Sequence, residues 1–339
     1  MDALSEALTS VRMTGAIFYH AECTAPWGFR VPPLETVAHI LAPGTERLVS
    51  YHLVTEGKAV AEFADATVSL AAGDVLIIPQ GDPHTVSNGA PSEFIDSGAQ
   101  LCRYLSGERT TMCLGGGGET TRFVCGYFGC ERYADKLFLA GLPLIKINLR
   151  GDPGGEWLES SVRHLVSHVG SQRPGHAILL AKMAEALFIE SLRRYMEQLP
   201  SEQTGWLAAA RDPVVGAALA ALHRRPSHHW TLEGLAAESA ASRSVVAERF
   251  IRYLGEPPLT YLARWRLQLA MRMLQTTRKT VLQIAGEVGY DSEAAFNRAF
   301  KREFGIPPGQ FRKANSDASQ RAFRQGQTRR SIGHLAADR

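Results

Sequence analysis

The sequence predicts an α+β protein in which a β-rich N-terminal half with trailing helices precedes an all-α C-terminal domain. Three observations support this prediction. The first third contains short alternating or β-branched runs separated by glycines, the chain from Glu156 onward has helical periodicity, and the C-terminal half contains one helical pattern twice. At roughly 100–200 residues per domain, a chain of 339 residues is long enough for two or three domains.

The composition indicates a folded chain and argues against several classes of protein. Hydrophobic residues make up 45% of the sequence and charged residues 21%, so a sizeable core is expected rather than disorder. The sequence contains no run of about 18 uncharged apolar residues, so no membrane span is predicted. The first residues lack the basic-then-apolar order of a secretory signal. Five cysteines are few and odd in number, which favours a reducing cytoplasm over a disulfide framework.

The net charge of +3 conceals an asymmetry along the chain. Residues 1–211 carry 17 basic and 23 acidic side chains, whereas residues 212–339 carry 20 and 11. The net charge is therefore −6 for residues 1–211 and +9 for residues 212–339. This pattern suggests that only the C-terminal part binds a polyanion.

Short strands are expected in the first third of the chain. Glycines separate these runs at turn-like spacing, which suggests a sandwich or barrel. The predicted strands are Val37–Leu41, Arg47–Thr55, Ala59–Phe63, Asp74–Pro79 and Thr121–Tyr127.

Two amphipathic helices and a linker are expected next. The helices are Trp157–Val169 and Ala177–Leu199, and the second has a broad apolar face. That face suits packing against the β-rich part, or pairing with the same helix of a second chain in a homodimer. The stretch Pro200–Asp212 mixes proline, glycine and polar residues and is predicted to be a linker.

The C-terminal half is predicted to contain two helix-turn-helix units. The first comprises Leu232–Ser239 and Arg243–Leu254, and the second comprises Val281–Val288 and Ser292–Phe304. The helix Leu259–Gln275 lies between them. In the second helix of each unit, apolar residues at i, i+4 and i+8 predict a buried stripe with polar residues off it.

This arrangement suits duplex DNA. A helix fits the major groove, where Arg298 can pair bidentately with guanine and Asn297 with adenine. The alternative is a charged helical surface in a protein–protein module, and the repeated stripe and turn together with the basic excess favour DNA over it. Phosphate contacts are expected from Arg224, Arg225, Arg252, Arg264, Arg266, Arg272, Arg278, Lys279 and Arg302.

A family signature occupies the last part of this half. The stretch Gly289–Arg312 reads GYDSEAAFNRAFKREFGIPPGQFR and is similar to G-Y-x-S-x-x-x-F-x-R-x-F-K-x-x-x-G-x-x-P-x-x-[FY]-R. On this motif, the region Pro213–Arg312 resembles the AraC/XylS family of bacterial transcription regulators. The resemblance implies a seven-helix domain whose two recognition helices enter successive major-groove segments roughly 34 Å apart. It implies double-stranded DNA as a partner, and RNA polymerase as an additional one.

By position in the family motif, the resemblance implies DNA contacts from both recognition helices. Glu248 stands where family members often have arginine, and a carboxylate repels phosphate although it can accept a hydrogen bond from cytosine. The second recognition helix is therefore expected to carry much of the direct readout. The implied base contacts are Ser244, Ala247 and Glu248 in the first helix and Glu293, Ala294, Asn297 and Arg298 in the second. Further DNA-binding residues predicted on the same two helices are Arg243, Lys301 and Arg302.

The N-terminal half contains a second motif. Gly73–Asn88 reads GDVLIIPQGDPHTVSN and resembles the second cupin motif, G-x5-P-x-G-x2-H-x3-N. It implies a small β-barrel with His84 pointing inward. The first cupin motif is degenerate, because only His52 can be an inward ligand and Ser50 stands where another could have been. The whole chain thus resembles AraC-type regulators with an N-terminal cupin domain, including redox-responsive members.

Several uses of the barrel are left open. A metal ion could be held by His52, His84 and His39 with a cysteine, although zinc takes about four ligands. The resemblance implies reactive cysteines at Cys23 and Cys125, and a thiolate oxidised there could be resolved to a disulfide.

An organic effector is another use for the barrel, and the cysteines have a simpler explanation. Trp27, Phe29, Tyr51 and Phe63 could line an apolar effector site. The simpler explanation is that the cysteines are small buried hydrophobes, as free cysteines commonly are. This applies to Cys23, Cys102, Cys113, Cys125 and Cys130.

The predicted organisation is a cupin sensor with trailing helices at 1–199, a linker at 200–212, a DNA-binding domain at 213–313 and a basic tail without stable structure at 314–339. The expected function is sequence-specific transcription regulation, with a small-molecule, metal or oxidant signal sensed by the cupin domain. No catalytic residue and no certain cofactor is predicted. The alternative is a cupin metalloenzyme with a helical appendage, which would need a full facial ligand set.

Overall fold

The computed structural model describes residues 2–10, 13–41, 47–89, 91–98, 111–130, 141–167 and 174–314. The chain divides into two compact units. The β-unit is Ser10–Gln203, and the helical unit combines Met1–Thr9 with Thr204–Arg339. The short helix α1 (Ala3–Ser10) therefore groups with the helical unit, which the sequence did not predict. The predicted basic tail lies outside the described residues from 315 onward.

The β-unit is built on two sheets, as the β-rich prediction requires. Its strands are β1 (Met13–Thr24), β2 (Trp27–Val31), β3 (Arg47–Glu56), β4 (Lys58–Glu62), β5 (Thr67–Ala71), β6 (Asp74–Ile78), β7 (His84–Asn88), β8 (Ile95–Asp96), β9 (Thr111–Gly115), β10 (Thr120–Cys130) and β11 (Ile145–Asn148). One sheet has six strands in the order β11-β6-β3-β10-β1-β9, and the other has five in the order β5-β4-β7-β2-β8.

The two sheets share one hydrophobic core. Phe123 of the six-stranded sheet meets Trp27 of the five-stranded sheet edge-on, with ring centroids 5.4 Å apart, and both side chains are buried. Because strand residues alternate between faces, Phe128 lies on the opposite face of the six-stranded sheet. There its ring packs against Phe188, with centroids 4.8 Å apart. The six-stranded sheet is thus covered on both faces.

Two trailing helices follow the sheets, as predicted. They are α3 (Pro153–Val166) and α4 (His176–Gln198), and α4 carries Phe188. The N-cap Asp152 accepts hydrogen bonds from the amides of the first turn of α3 and is also paired with Arg194 of α4. This pair ties the two helices together near the start of α3.

The predicted strand Val37–Leu41 is wrong. This segment is the second half of a helix, α2 (Leu34–Leu41), which follows two prolines that favour a helix start. Leu34 and Ala38 lie four residues apart and are both buried. Their spacing presents one helical face to the core, and the β-branched residues in the run misled the strand assignment.

The helical unit contains both predicted helix-turn-helix pairs. After α1, its helices are α5 (Trp206–Arg211), α6 (Pro213–Arg224), α7 (Leu232–Glu238), α8 (Arg243–Leu254), α9 (Pro258–Thr276), α10 (Val281–Glu287) and α11 (Glu293–Phe304), and residues 308–314 are helical too. Helices α7 and α8 form the first helix-turn-helix, α10 and α11 form the second, and α9 joins them.

The segment Pro200–Asp212 is not wholly a linker, because it contains α5. Trp206 is buried at the start of this helix, and its indole N–H donates to the hydroxyl of Tyr261 at 2.9 Å. The alanine run Ala208–Ala210 has strong helical propensity. The helix is therefore held against the core of the helical unit rather than spanning a gap.

Across the described part of the chain, every helix is either too short or too polar to traverse a lipid bilayer.

Candidate DNA interface and inner core of the β-unit

The two recognition helices, α8 and α11, are built alike. Each begins after a serine N-cap, Ser242 or Ser292, whose hydroxyl accepts a hydrogen bond from the amide three residues later. Each ends at a glycine in the left-handed region, Gly255 at φ 74° and Gly305 at φ 80°. A residue in α8 therefore corresponds to the residue fifty positions later in α11.

The same stripe anchors both helices. Val246 and Phe250 in α8, and Phe296 and Phe300 in α11, are completely buried. None of the predicted DNA contacts belongs to this stripe. Exposed are Arg243, Ser244, Glu248, Glu293, Ala294, Arg298, Lys301 and Arg302, and partly buried are Ala247 and Asn297. All ten predicted contact residues are thus at least partly exposed.

A surface cavity lies beside the second recognition helix. Its volume is about 410 Å³. Its lining contains two cationic groups, one amide and one carboxylate. The lining residues are Val281, Glu293, Asn297, Arg298, Lys301, Pro307 and Gly309.

Arg266 of α9 connects the two helix-turn-helix units. Its guanidinium donates to the carbonyl oxygens of Pro226 at 2.7 Å, His228 at 2.8 Å and Gly289 at 3.0 Å. Three of its five N–H donors are therefore used inside the domain, and a phosphate contact by this arginine stays a prediction. Gly289 sits at φ +89°, and a Cβ there would lie 2.8 Å from the Cα of Ser227. The signature glycine is therefore required by both backbone conformation and space.

Other predicted phosphate contacts are paired with carboxylates in the free protein. Arg225 pairs with Glu238 and lies over the Trp230 ring, 4.7 Å from its centroid. Lys279 pairs with Glu287 at 2.6 Å, and Arg264 pairs with Glu256. Exposed pairs of this kind contribute about 0–1 kcal/mol, so phosphate could displace them.

A buried polar cluster lies beneath the first helix-turn-helix, and the sequence did not reveal it. The Tyr261 hydroxyl accepts from the Trp206 indole N–H and is hydrogen-bonded to Nε2 of His223 at 2.7 Å. The His223 ring stacks on Trp265 with centroids 4.3 Å apart. Burial lowers the pKa of His223 to about 3, so the imidazole is neutral.

A second buried polar chain crosses the core of the β-unit. Cys125 of β10 lies opposite His52 of β3 in the strand ladder, and His84 begins β7 of the other sheet. Nδ1 of His52 lies 3.0 Å from the Cys125 sulfur, and Nε2 of His52 lies 2.8 Å from Nε2 of His84. Nδ1 of His84 lies 2.8 Å from the carbonyl oxygen of Asp82. One chain of hydrogen bonds therefore joins the two sheets.

The Asp82 carbonyl oxygen can only accept, and this fixes which atom donates in each of these hydrogen bonds. Nδ1 of His84 must donate to the Asp82 carbonyl, so a neutral His84 accepts at Nε2. His52 then donates from Nε2 and accepts from the Cys125 thiol at Nδ1. Burial lowers the pKa of His52 well below its usual value and that of His84 to about 4. Burial also raises the pKa of the Cys125 thiol, so all three groups are neutral.

The two predicted sensor cysteines are buried but separated. Cys23 lies opposite Thr121 on the β1–β10 ladder, whereas Cys125 lies opposite Tyr19. Four residues of strand correspond to roughly 13 Å, while disulfides need Cα atoms about 4.4–6.8 Å apart. In this conformation the two thiols cannot form a disulfide with each other. Burial raises the pKa of Cys23 to about 12.

The remaining cysteines differ in placement. Cys113 is exposed on β9, so the suggestion that it is a buried hydrophobe is wrong. It lies opposite Glu22 rather than opposite an inward residue of β1, which turns its side chain outward. Cys102 and the side chain of Cys130 lie outside the described residues.

The described donors fall short of a metal-binding set. The Nε2 atoms of His52 and His84 are directed at each other, but Cys125 contacts the opposite ring nitrogen of His52. Among the described residues, no group of three or more histidine, cysteine or carboxylate side chains could hold a metal ion. The side chain of His39 lies outside them. Two nitrogen donors are fewer than zinc or a facial iron site takes.

Three of the four aromatic residues predicted to line an effector site belong to the inner core. Trp27, Phe29 and Phe63 pack there. Tyr51 does not, because it neighbours inward-facing His52 on β3 and therefore points to the opposite face. Its ring stacks on Phe128, with centroids 6.2 Å apart.

The fold and the exposed recognition helices define a DNA-binding transcription regulator with an N-terminal β-domain. Comparisons with known proteins agree. Residues 2–197 match the family model described as cupin, and residues 235–314 match the model described as helix-turn-helix domain. The chain belongs to the AraC family of transcription regulators, in the group with an N-terminal cupin domain. The predicted family and fold class are thereby confirmed.

Three relatives align with this chain over almost their entire length. The chain is 32% identical over 319 residues to an AraC-like transcription regulator of Streptomyces lividans, covering 92% of this chain and 98% of that one. It is 32% identical over 321 residues to the HTH-type transcriptional regulator AlkR of Acinetobacter baylyi, covering 92% and 99%. It is 28% identical over 316 residues to the RCS-specific HTH-type transcriptional activator RclR of Escherichia coli, covering 92% and 98%.

Proposed function

We propose that this protein is a sequence-specific regulator that reads double-stranded DNA through α8 and α11 and responds to a signal received in the cupin core. The observation that carries the DNA half of this proposal is the pair of matched recognition helices. Their buried stripes fix them against the domain, and their outward faces hold the predicted contacts. Paired recognition helices of this kind suit two successive major-groove segments.

Direct readout rests mainly on α11. Arg298 and Asn297 supply the donors that recognise guanine and adenine, and Lys301 and Arg302 supply charge for phosphates. The first recognition helix carries Glu248 at the position that corresponds to Arg298. The relatives are named as transcription regulators, which favours this function over a cupin enzyme.

The sensor half rests on the hydrogen-bonded chain from Cys125 through His52 to His84. Buried polar groups are costly unless every partner is satisfied, so any chemistry that removes one partner destabilises the native arrangement of the sheets. An oxidant at the thiol, a metal at the imidazoles or a small molecule between the sheets would each do this. The signal must bind the two resulting states unequally in order to change DNA binding.

Two partners and a compartment follow from this function. RNA polymerase is the partner of a DNA-bound regulator, and the cytoplasm is where both would be met. A homodimer through α4 is supported by Ile178, Leu179 and Ile189, which are exposed on that helix. Analytical ultracentrifugation of the full chain and of Ile178→Glu tests the homodimer.

Selection of duplexes from a random-sequence library with the full chain tests the DNA half. We expect a recovered site with two protected segments about one helical turn apart in footprinting. Arg298→Ala should relax the requirement at one base pair, whereas Arg302→Ala should weaken all duplexes alike. Recovery of no preferred sequence would overturn the proposal.

Serine variants test the sensor half. Cys125→Ser and Cys23→Ser are compared for the response of a target promoter to an oxidant, with Cys113→Ser as the exposed-thiol control. We expect Cys125→Ser to lose the response if the signal is an oxidant. A full response in both buried-cysteine variants would eliminate the oxidant, and metal analysis and ligand screening would then separate the other two signals.

A further inference from the structure

The two recognition helices match in framework but differ in the chemistry of their outward faces. Asn297, Arg298 and Lys301 of α11 correspond to Ala247, Glu248 and Ile251 of α8. An amide and two cations are thus replaced by a methyl group, a carboxylate and a branched alkyl group. The cations that suit phosphates and guanine are missing from these positions of α8.

Ile251 is the unexpected member of this set. It is 51% exposed, whereas the aliphatic and aromatic side chains of the α8 stripe, Val246 and Phe250, are fully buried. It lies four residues after Ala247, so the two side chains are neighbours on one face of the helix. Together they form a short apolar strip on the surface that faces DNA in the proposed function.

DNA offers one apolar group to such a strip in the major groove. This is the C5-methyl group of thymine, which small apolar side chains contact. Neighbouring side chains at i and i+4 lie about 5–6 Å apart, close to the spacing of one or two base-pair steps at 3.4 Å each. Glu248 lies beside the strip and can accept a hydrogen bond from the amino group of cytosine.

We infer that Ile251, with Ala247, reads thymine methyl groups in the half-site that faces α8. Ile251 is therefore a specificity-determining residue that the family motif did not indicate. The half-site read by α8 is pyrimidine-rich on the strand it contacts, whereas the half-site read by α11 contains guanine and adenine. This inference rests on the proposed function, because it assumes that α8 enters the major groove.

Replacement of thymine by deoxyuridine tests the inference, because it removes only the methyl group. The probe is the duplex recovered by selection with the full chain, with each thymine of the α8 half-site replaced in turn. We expect binding to weaken about 3–5-fold for each contacted thymine, the value of one buried methyl group. Replacement in the α11 half-site should leave the affinity unchanged wherever Arg298 or Asn297 makes the contact.

The variant Ile251→Ala, tested on the thymine and uracil duplexes, completes a double-mutant cycle with the base replacement. It should bind the thymine duplex about as weakly as the native chain binds the uracil duplex, and it should lose nothing more on uracil. Lys301→Ala is the matched control, because it occupies the corresponding position of α11. It should weaken both duplexes and preserve their ratio. Ile251 is exposed, so the variant should fold like the native chain, as circular dichroism checks.

Three outcomes would overturn the inference. Equal binding of thymine and uracil duplexes by the native chain would show that no methyl group is read. A methyl effect that survives unchanged in Ile251→Ala would assign the readout to another residue, and a loss of transcription without a loss of affinity would place Ile251 against a protein. The proposed function itself fails only if no duplex is recovered, so the two failures are distinguishable.

Discussion

The first and second helix-turn-helix units share one framework but present different outward residues. Both have serine N-caps, glycine ends and the same buried stripe on the recognition helix. Beneath the first lies the polar cluster of His223, Tyr261 and Trp265, while the second packs Phe296, Phe300 and Phe304 against one another. Caps and stripe therefore set where a recognition helix lies, and the outward residues are free to differ.

The turn between the two helices of each unit provides the strongest test of how far the two units share a framework. At the turn of the second unit, Gly289 has φ +89° and no space for a Cβ, whereas the corresponding residue of the first unit is Ala240 at φ +48°. Gly289→Ala should lower the free energy of unfolding by about 2–4 kcal/mol, because backbone strain adds to a clash with Ser227. Calorimetry of the full chain measures this loss.

Gly305→Ala is the matched control for the turn. This glycine has φ +80° but no heavy atom within 4 Å of an added Cβ, so it carries the backbone strain alone. We expect a loss of about 1 kcal/mol. Equal losses from the two variants would show that the close contact of Gly289 with Ser227 and Arg266 contributes nothing.

The outward faces of the two recognition helices provide the next test. Arg298→Ala should lose about 1–3 kcal/mol of binding free energy, because a bidentate contact to guanine is removed. Its counterpart Glu248→Ala should lose specificity at one base pair but gain affinity for unrelated duplexes, because a carboxylate leaves the vicinity of phosphates. Fluorescence anisotropy on the selected and a scrambled duplex measures both. Equal effects on both duplexes would contradict the assignment.

The buried cluster around His223 should make the stability of the protein depend on pH in the acid range. His223 has a pKa of about 3 in the folded state and about 6.5 when unfolded, so the unfolded chain binds the additional proton. The stability that a neutral His223 contributes is complete above pH 6.5 and is lost as the pH falls towards 3. Between pH 6.5 and 5 the loss should be about 1.5 kcal/mol.

His223→Phe isolates this effect from the other buried histidines. Phenylalanine can keep the stacking on Trp265 but cannot take up a proton. The variant should therefore show a smaller decrease in unfolding free energy over the same pH range, as measured by urea titrations at each pH. An identical slope in the two proteins would mean that another group, such as His84 in the β-unit, dominates the acid response.

The sequence was most informative where local signals and tertiary packing agree. The recognition helix Arg243–Leu254 was predicted with its observed bounds, because a serine cap, a glycine end and an apolar stripe all indicate the same element. The inward position of His84 followed from the cupin motif. In both cases the pattern depends on residues close together in the chain.

Prediction failed where distant contacts decide the structure. The β-branched run at Val37–Leu41 is helical because Leu34 and Ala38 pack on the core, and α5 forms because Trp206 reaches Tyr261. The partner of His52 could not be deduced either. The Cys125–His52–His84 chain depends on the β3–β10 register and on the approach of the second sheet, and neither is encoded by local spacing.

The smallest expected effect comes from the turn of the first unit. Ala240 holds a left-handed conformation that glycine adopts without strain, so Ala240→Gly should stabilise the protein by about 0.5 kcal/mol. The gain is small because glycine also gives the unfolded chain more freedom. Ala241→Gly has only that cost and should destabilise by about 0.4–1 kcal/mol. If both variants destabilise equally, the turn of the first unit tolerates alanine without strain, and the two turns differ in packing rather than in backbone conformation.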